Sequence, residues 1–405
     1  MNHRRVDTHS LIHLTLSLSW ESLEGRHCEV RHFPRFNVWR DLDLLPWPVR
    51  HAILDHEPGQ SAAFPFEAGE LVPAWREDAV RELAADAFRD RVRPDQAITT
   101  GRFYPRGLLQ GVPGASVGDR RPARLIGRDG ERLRFDLNHP LARIPLELGL
   151  EIVAVEPAPE ERGGRCDDAL EALSRGPGMQ ARHGSRPTEF FGDRVWRRVD
   201  EEPDRAFYRK PRMVHHLDAT ALAEVEGLHR RLLSPGSRVL DLMASWDSHL
   251  SGAGCDRVVG LGLNAEELEA NPALGLRLCH DLNESPALPF EDATFDGVVC
   301  TASVEYLARP LEVFAEVARI LKPGGLFLHT FSNRWFPTKA IRLWSELHEF
   351  ERMGLVSEYF LATGRFAGLH TRSLRGLPRP ANDPHIGETR LSDPVYAVWA
   401  YREGV

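Results

Sequence analysis

The chain has 405 residues, 42% hydrophobic and 27% charged, an ordinary balance for folded globular protein with room for two or three domains. A formal charge of −8 leaves no cationic excess for a phosphate backbone, so nucleic acid is not an expected partner, and no apolar run reaches the roughly 18 residues of a membrane span. Five cysteines (Cys28, Cys166, Cys255, Cys279 and Cys300) are odd in number and lack C-x-x-C spacing. That suits a reduced cytoplasm with no disulfide framework, and no residue is assigned to a metal.

The first twenty residues, MNHRRVDTHSLIHLTLSLSW, have no sustained apolar core or small-residue cleavage site, so no signal peptide is expected. Within them IHLTLSLSW (12–20) alternates with period two and predicts a strand. WRDLDLLPWPVRHAIL (39–54) mixes prolines with a short helix, and SAAFPFEAGELVP (61–73) predicts a strand closed by a turn. RLRFDLNHPLARIPLELGLEIVAVEP (132–157) predicts two strands joined through Asn138, His139 and Pro140, with His139 a structural turn residue.

FDLNHPLA followed by an alternating strand resembles the SlyD-like branch of the FKBP-type prolyl isomerases over roughly residues 8–157. The resemblance implies a small α+β barrel, residues 1–157, with a flap insert near 98–140 and proline-containing protein clients. Leu16 stands where that family carries an aromatic on the first strand, which predicts little isomerase activity. Deleting 1–157 is then expected to leave cofactor binding in the remainder largely intact.

Residues 158–190 begin as a Pro, Glu and Gly linker, but DDALEALS (167–174) predicts a short capped helix, and GPGMQARHG (176–184) predicts a segment folded over the mouth of the next domain. In FYRKPRMVHHLDATALAEVEGLHRRLL (207–233), Asp218 is placed to cap a helix whose Leu222, Val225, Leu228 and Leu232 recur at helical spacing.

RVLDLMASWDSHL (238–250) then predicts a strand ending in an acid, followed by a loop. RVVGLGL (257–263) predicts a second buried strand, with Asn264 capping a helix. HDLNESPALPF (280–290), FDGVVCTASVEYL (295–307) and EVFAEVARILKPGGLFLHTFSN (312–333) continue with strand, helix, Pro-Gly-Gly turn and strand, in which Cys279 and Cys300 are expected to pack. YFLATGRFAGLH (359–370) and PVYAVWAYRE (394–403) predict the closing strands, with Pro394 at an edge.

That order, and above all LPFEDATFDGVV and ARILKPGG, resembles the class I S-adenosylmethionine-dependent methyltransferases over roughly residues 190–403. The resemblance implies an α/β Rossmann-like domain, residues 191–405, with a mostly parallel sheet and a ligand beyond its carboxyl strand ends. S-adenosylmethionine is the implied cofactor. Its methionine part would meet Asp241, Met243, Ala244 and Ser245, its ribose the stretch from Gly260 to Asn264, its adenine Asp281 and Leu282, with Ser303 on the fourth strand's exit. Where the family places glycines after the acid this chain has Ala244, Ser245 and Trp246, and Gly262 replaces the family's ribose-binding acid.

Candidate bases are His249, Glu305 and Tyr306; candidate acceptor contacts are Trp246, Tyr208, Arg212, His216, Asn333, Arg334 and Lys339. Trp246 must either occupy acceptor space or pack beneath the sheet. The expected acceptor is a small nucleophile, a thiol or sulfide ahead of oxygen and nitrogen. The alternatives are a prolyl isomerase with a cofactor-sensing domain and a protein methyltransferase.

Overall fold

The computed structural model describes residues 5–54, 56–89, 98–157, 166–192 and 194–404; the linker stretch 158–165 lies outside them. Strand β1 (Ser10–Glu21) follows the predicted alternation, burying Leu14, Leu16 and Leu18 while Thr15, Ser17 and Ser19 stay partly exposed. Each buried leucine contributes roughly 1.5–3 kcal/mol. β1 pairs antiparallel with β2 (Gly25–Asn37) on one side. Between β3 (Ser61–Phe66) and the strand that pairs with it, the chain departs into a separate four-stranded sheet. This sheet contains β4 (Val80–Ala84), β5 (Phe103–Pro105), β6 (Pro122–Asp129) and β7 (Arg132–Asp136), in the order β4-β7-β6-β5 around a core of Tyr104, Leu125, Leu133 and Phe135. The excursion begins well before residue 98, because β4 supplies its edge. β8 (Leu146–Pro157) returns to pair with both β1 and β3.

The C-terminal part supplies β9 (Arg238–Leu242), β10 (Arg257–Gly262), β11 (Leu276–Cys279), β12 (Phe295–Thr301), β13 (Leu321–Phe331), β14 (Phe366–Arg375) and β15 (Val395–Arg402). β11, β10, β9, β12 and β13 are parallel neighbours in that order, so the winding reverses between β9 and β12. β15 lies antiparallel between β13 and β14. Pro394 therefore precedes an interior strand, not an edge. Cys279 is exposed at the end of β11, whereas Cys300 is buried in β12. Asp218 caps the helix Ala219–Leu232 by accepting from Thr220 N and Ala221 N, as its sequence position predicts.

The N-terminal strands do not close into a barrel of their own. β14 pairs parallel with β2, from Leu369 opposite Gly25 to Arg375 opposite Arg31, and one sheet runs β11-β10-β9-β12-β13-β15-β14-β2-β1-β8-β3. The backbones approach so closely at its start that a Cβ on Gly25 would collide with the Leu369 carbonyl. Buried polar groups seal the seam: His27 Nδ1 lies 2.8 Å from Thr371 Oγ1, Ser373 donates to Glu29, and Arg375 Nε donates to Glu29 Oε1 at 2.6 Å.

The segment around 176–184 packs against distant parts of the chain. Gly176 abuts Phe350, Gly178 abuts Pro140 and Leu141, and Gln180 touches both Gly354 and Thr371. It is thus a wedge between the turn at 140, β14 and the helix Glu349–Thr363. That helix is buried along Phe350–Phe360, including Glu351 and Glu358. Glu351 accepts from Phe103 N (2.8 Å), and Glu358 accepts from both Arg182 Nε (2.7 Å) and Nη2 (2.6 Å). No helix among the described residues is long and apolar enough to cross a membrane.

Candidate active site

β9 ends at the winding reversal, where loops leaving two strands in opposite directions open a crevice. Asp241 is buried there, and burial, reinforced by nearby Asp247 and opposed by a hydrogen bond from Ser248, pushes its carboxyl up to about 7. Among the described residues, Met243, His249, Ala293 and Ala302 are the non-glycines in the left-handed region, and three of the four lie on the loops after β9 and β12. Met243 (φ 62°) takes a left-handed conformation that glycine adopts without strain, so the loop turns here without the residue that makes the turn easy.

The β9 loop is pinned from several sides. Ala244 N donates to Leu261 O (2.8 Å), and Asn271 Nδ2 donates to Ser245 O (2.8 Å) and Ser248 Oγ (2.9 Å). Ser245 Oγ donates to Glu267 Oε2 at 2.7 Å. The Ala244 carbonyl presses on Gly262, where a Cβ would collide with it, so glycine is required at the position where the family carries an acid.

The ribose and adenine candidates are placed as follows. A Cβ at Gly260 would meet Leu274, so this residue faces the core and not a ligand. Asn264 is fully engaged: Oδ1 caps the helix Ala265–Ala270, while Nδ2 donates to Tyr208 O (2.8 Å) and Arg209 O (3.2 Å). Asp281 is buried and its Oδ1 accepts from Asn283 N (3.0 Å), fixing the turn that sends Leu282 into the main core. Ser303 donates to Thr301 O (2.9 Å).

Over the crevice lies a strap, residues 203–217. Asn264 holds its carbonyls, and Glu267 Oε1 accepts from Arg212 N at 2.7 Å. The Arg212 guanidinium stands 4.5 Å from the Phe207 ring centre, 5.6 Å from Tyr208 and 5.3 Å from Phe336. His216 packs edge-on against Phe336, their ring centres 5.1 Å apart. Trp246 is half-buried, donating from Nε1 to Val214 O (3.2 Å) and lying 4.4 Å from the His215 ring, so it faces the strap and does not pack beneath the sheet. Tyr208, Arg212, His216 and Trp246 are therefore brought together at the mouth.

Lys339 is not available to an acceptor. It is fully buried, with Nζ bound to Asp200 Oδ2 (3.2 Å), Asp204 Oδ1 (3.3 Å) and the Glu202 carbonyl (2.7 Å). Arg334 faces Asp393 (3.7 Å), and Ser332 Oγ donates to Asn333 Oδ1 (3.4 Å).

The three candidate bases separate clearly. Tyr306 accepts from Phe336 N (2.9 Å), and burial raises its phenol, so it positions the 336 loop and is no base. His249 lies toward the strap with Asp247 and His215. Glu305 is 1% exposed, neither carboxylate oxygen has a hydrogen-bond partner, and burial pushes it up to about 7. Sequence reasoning missed Glu267, Asn271, Asp204 and Asn283, which organise the mouth. The only signal for Glu267, Asn271 and Asn283 was polar spacing within AEELEAN and HDLNES, and Asp204 stands apart from both in EEPDRAF.

Residues 245–329 match the family model described as a methyltransferase domain. The C-terminal part of the chain carries a class I S-adenosylmethionine-dependent methyltransferase domain. Over 146 residues, a third of this chain (33%), it is 28% identical to 24-methylenesterol C-methyltransferase 2 of Arabidopsis thaliana, covering 38% of that protein. It is 33% identical to malonyl-[acyl-carrier protein] O-methyltransferase of Erwinia billingiae over 113 residues, 25% of this chain and 45% of that one. The chain thus spans less than half the length of either relative. A solved S-adenosylmethionine-dependent methyltransferase from Aquifex aeolicus, 15% identical, aligns with a TM-score of 0.31 over 46% of this chain and 91% of its own.

The methyltransferase domain's buried groups fit the cofactor's charges. S-adenosylmethionine carries a sulfonium, an ammonium and a carboxylate. Against these stand Glu305, with two orphaned oxygens, Asp241, and Arg212, whose Nη1 is buried without a partner. Unpaired buried groups of this kind cost several kcal/mol, which a ligand of opposite charges offsets. Asp241, Met243, Ala244 and Ser245 would hold the methionine portion.

Proposed function

We propose that this protein transfers a methyl group from S-adenosylmethionine to a small nucleophile, with a thiol or sulfide the favoured acceptor. The observation that carries this reading is Glu305, a buried carboxyl without partners on the loop after β12, poised at about 7. When bound, the cofactor supplies a methyl group on a sulfonium. The strap's aromatic groups exclude water, and Arg212 orients an anionic group. Glu305 takes the acceptor's proton. A thiol ionises near 8.5, within about two units of this base, whereas an alcohol's hydroxyl ionises far above it. Sulfur therefore suits Glu305 better than an alcohol.

Residues 1–157 support a second reading, in which a SlyD-like FKBP unit presents proline-containing segments to the methyltransferase domain. It is favoured by the placement of the four-stranded excursion between β3 and β8. Turnover of labelled cofactor against thiols, amines, phenols and unfolded proteins tests both. Label in a small thiol, lost in Glu305→Gln even at saturating cofactor, is expected; label confined to protein favours the second reading and sinks the first.

A further inference from the structure

We propose that His215, Asp247 and His249 form a site for one divalent transition-metal ion of the zinc class, tying the strap to the β9 loop. One ligand atom from each residue lies within 4.8 Å of the other two. Asp247 Oδ2 is 3.9 Å from His215 Nε2 and 3.4 Å from His249 Nδ1. Bond lengths of about 2.0–2.1 Å at a tetrahedral ion put neighbouring ligand atoms about 3.3–3.4 Å apart. The Asp247–His249 arm already has that spacing, while the exposed His215 closes by about half an ångström toward Asp247 and by up to about 1.4 Å toward His249.

The surroundings hold these groups as ligands need to be held. Asp247 Oδ1 accepts from His249 N (2.9 Å), which leaves Oδ2 toward the two imidazoles. The His249 carbonyl accepts from the buried His229 Nδ1 (2.8 Å), fixing a residue whose φ is 53°. Trp246 lies against the His215 ring and anchors the neighbouring Val214 carbonyl. Two imidazoles and one carboxylate select zinc, cobalt, nickel, copper or iron over magnesium and calcium, which take oxygen. Three protein ligands leave a tetrahedral ion one open position at the mouth.

The test is titration of chelator-treated, tag-free protein with Co²⁺, read by its visible spectrum, followed by Zn²⁺ displacement. One equivalent of Co²⁺ with the intense bands of a four- or five-coordinate ion, displaced by Zn²⁺, is expected. His215→Ala, at an exposed position that leaves the fold intact by circular dichroism, and Asp247→Asn should each weaken binding at least about tenfold. His215→Cys, which restores a ligand, should regain it. Equal stoichiometry and affinity in parent, His215→Ala and Asp247→Asn, or only the weak spectrum of octahedral Co²⁺ in the parent, would overturn the proposal. Cofactor binding is measured separately, so failure here does not touch the methyltransferase reading.

Discussion

Glu305 shows how a backbone can be satisfied while its side chain is not. Its carbonyl accepts from Ile341 N (2.9 Å), locking the loop, yet both carboxylate oxygens stay buried without a donor. Unfolded, the group ionises near its ordinary 4.5; folded, it holds its proton until about 7. The folded state binds more protons between those values, so the contribution to stability is full below about pH 4.5 and is lost as pH rises through about 7. Thermal melts of the cofactor-free protein should therefore fall from pH 5 to 8, and Glu305→Gln should flatten that slope by roughly 2–3 kcal/mol. An identical pH profile in the variant would show that Glu305 is already ionised or partnered. The position of Glu305 on the exit of the fourth strand was legible, since ASVEYL follows the strand. Lys339 was misjudged because its partners Asp200 and Asp204 lie more than 130 residues away in sequence, where no local pattern points.

Asn264 belongs to an element, because one side chain both starts a helix and fastens the strap. Asn264→Asp separates the two roles: a carboxylate still accepts from Glu266 N and Glu267 N, but cannot donate to the Tyr208 and Arg209 carbonyls. The helix should persist by circular dichroism while trypsin cuts faster at Arg209, the bond after Lys210 being closed to it by Pro211; unchanged cleavage would mean that Arg212 and Glu267 hold the strap alone. The buried helix Glu349–Thr363 makes a different point. Glu358→Ala strips partners from Arg182 and Thr188 N, and should cost roughly 2–4 kcal/mol in chemical denaturation; a loss under 0.5 kcal/mol would place that pair among weak surface bridges. The strands, caps and helix of the C-terminal part could be read from period and punctuation. The burial of this helix could not, since the groups covering it come from Phe103 and Arg182 in distant parts of the chain.

Across the whole molecule, the two halves share a sheet instead of a linker, which alters the outcome expected for truncation. Removing 1–157 uncovers the β14 edge, takes the partner of Ser373 and Arg375, and strips Phe103 from Glu351. The remainder should be poorly soluble or melt well below the full chain, as followed by soluble yield and dye binding. A soluble fragment melting like the parent would mean that the seam carries little stability. The period of β1 announced a strand but not its neighbours, and pairing between strands so far apart leaves no trace in either segment alone.

The β14–β2 seam also sets a timetable for synthesis. His27 must wait for Thr371, 344 residues further along the chain, before its strand has a neighbour on that side. At about 5–20 residues per second, the open flank of β2 faces the ribosome's surroundings for about 17–70 seconds. Charged and imidazole side chains on that strand (Arg26, His27, Glu29, Arg31 and His32) disfavour pairing with another nascent chain over that interval. Only later do His27 and Glu29 become the seam itself, so one set of side chains protects the newborn protein and afterwards joins its halves.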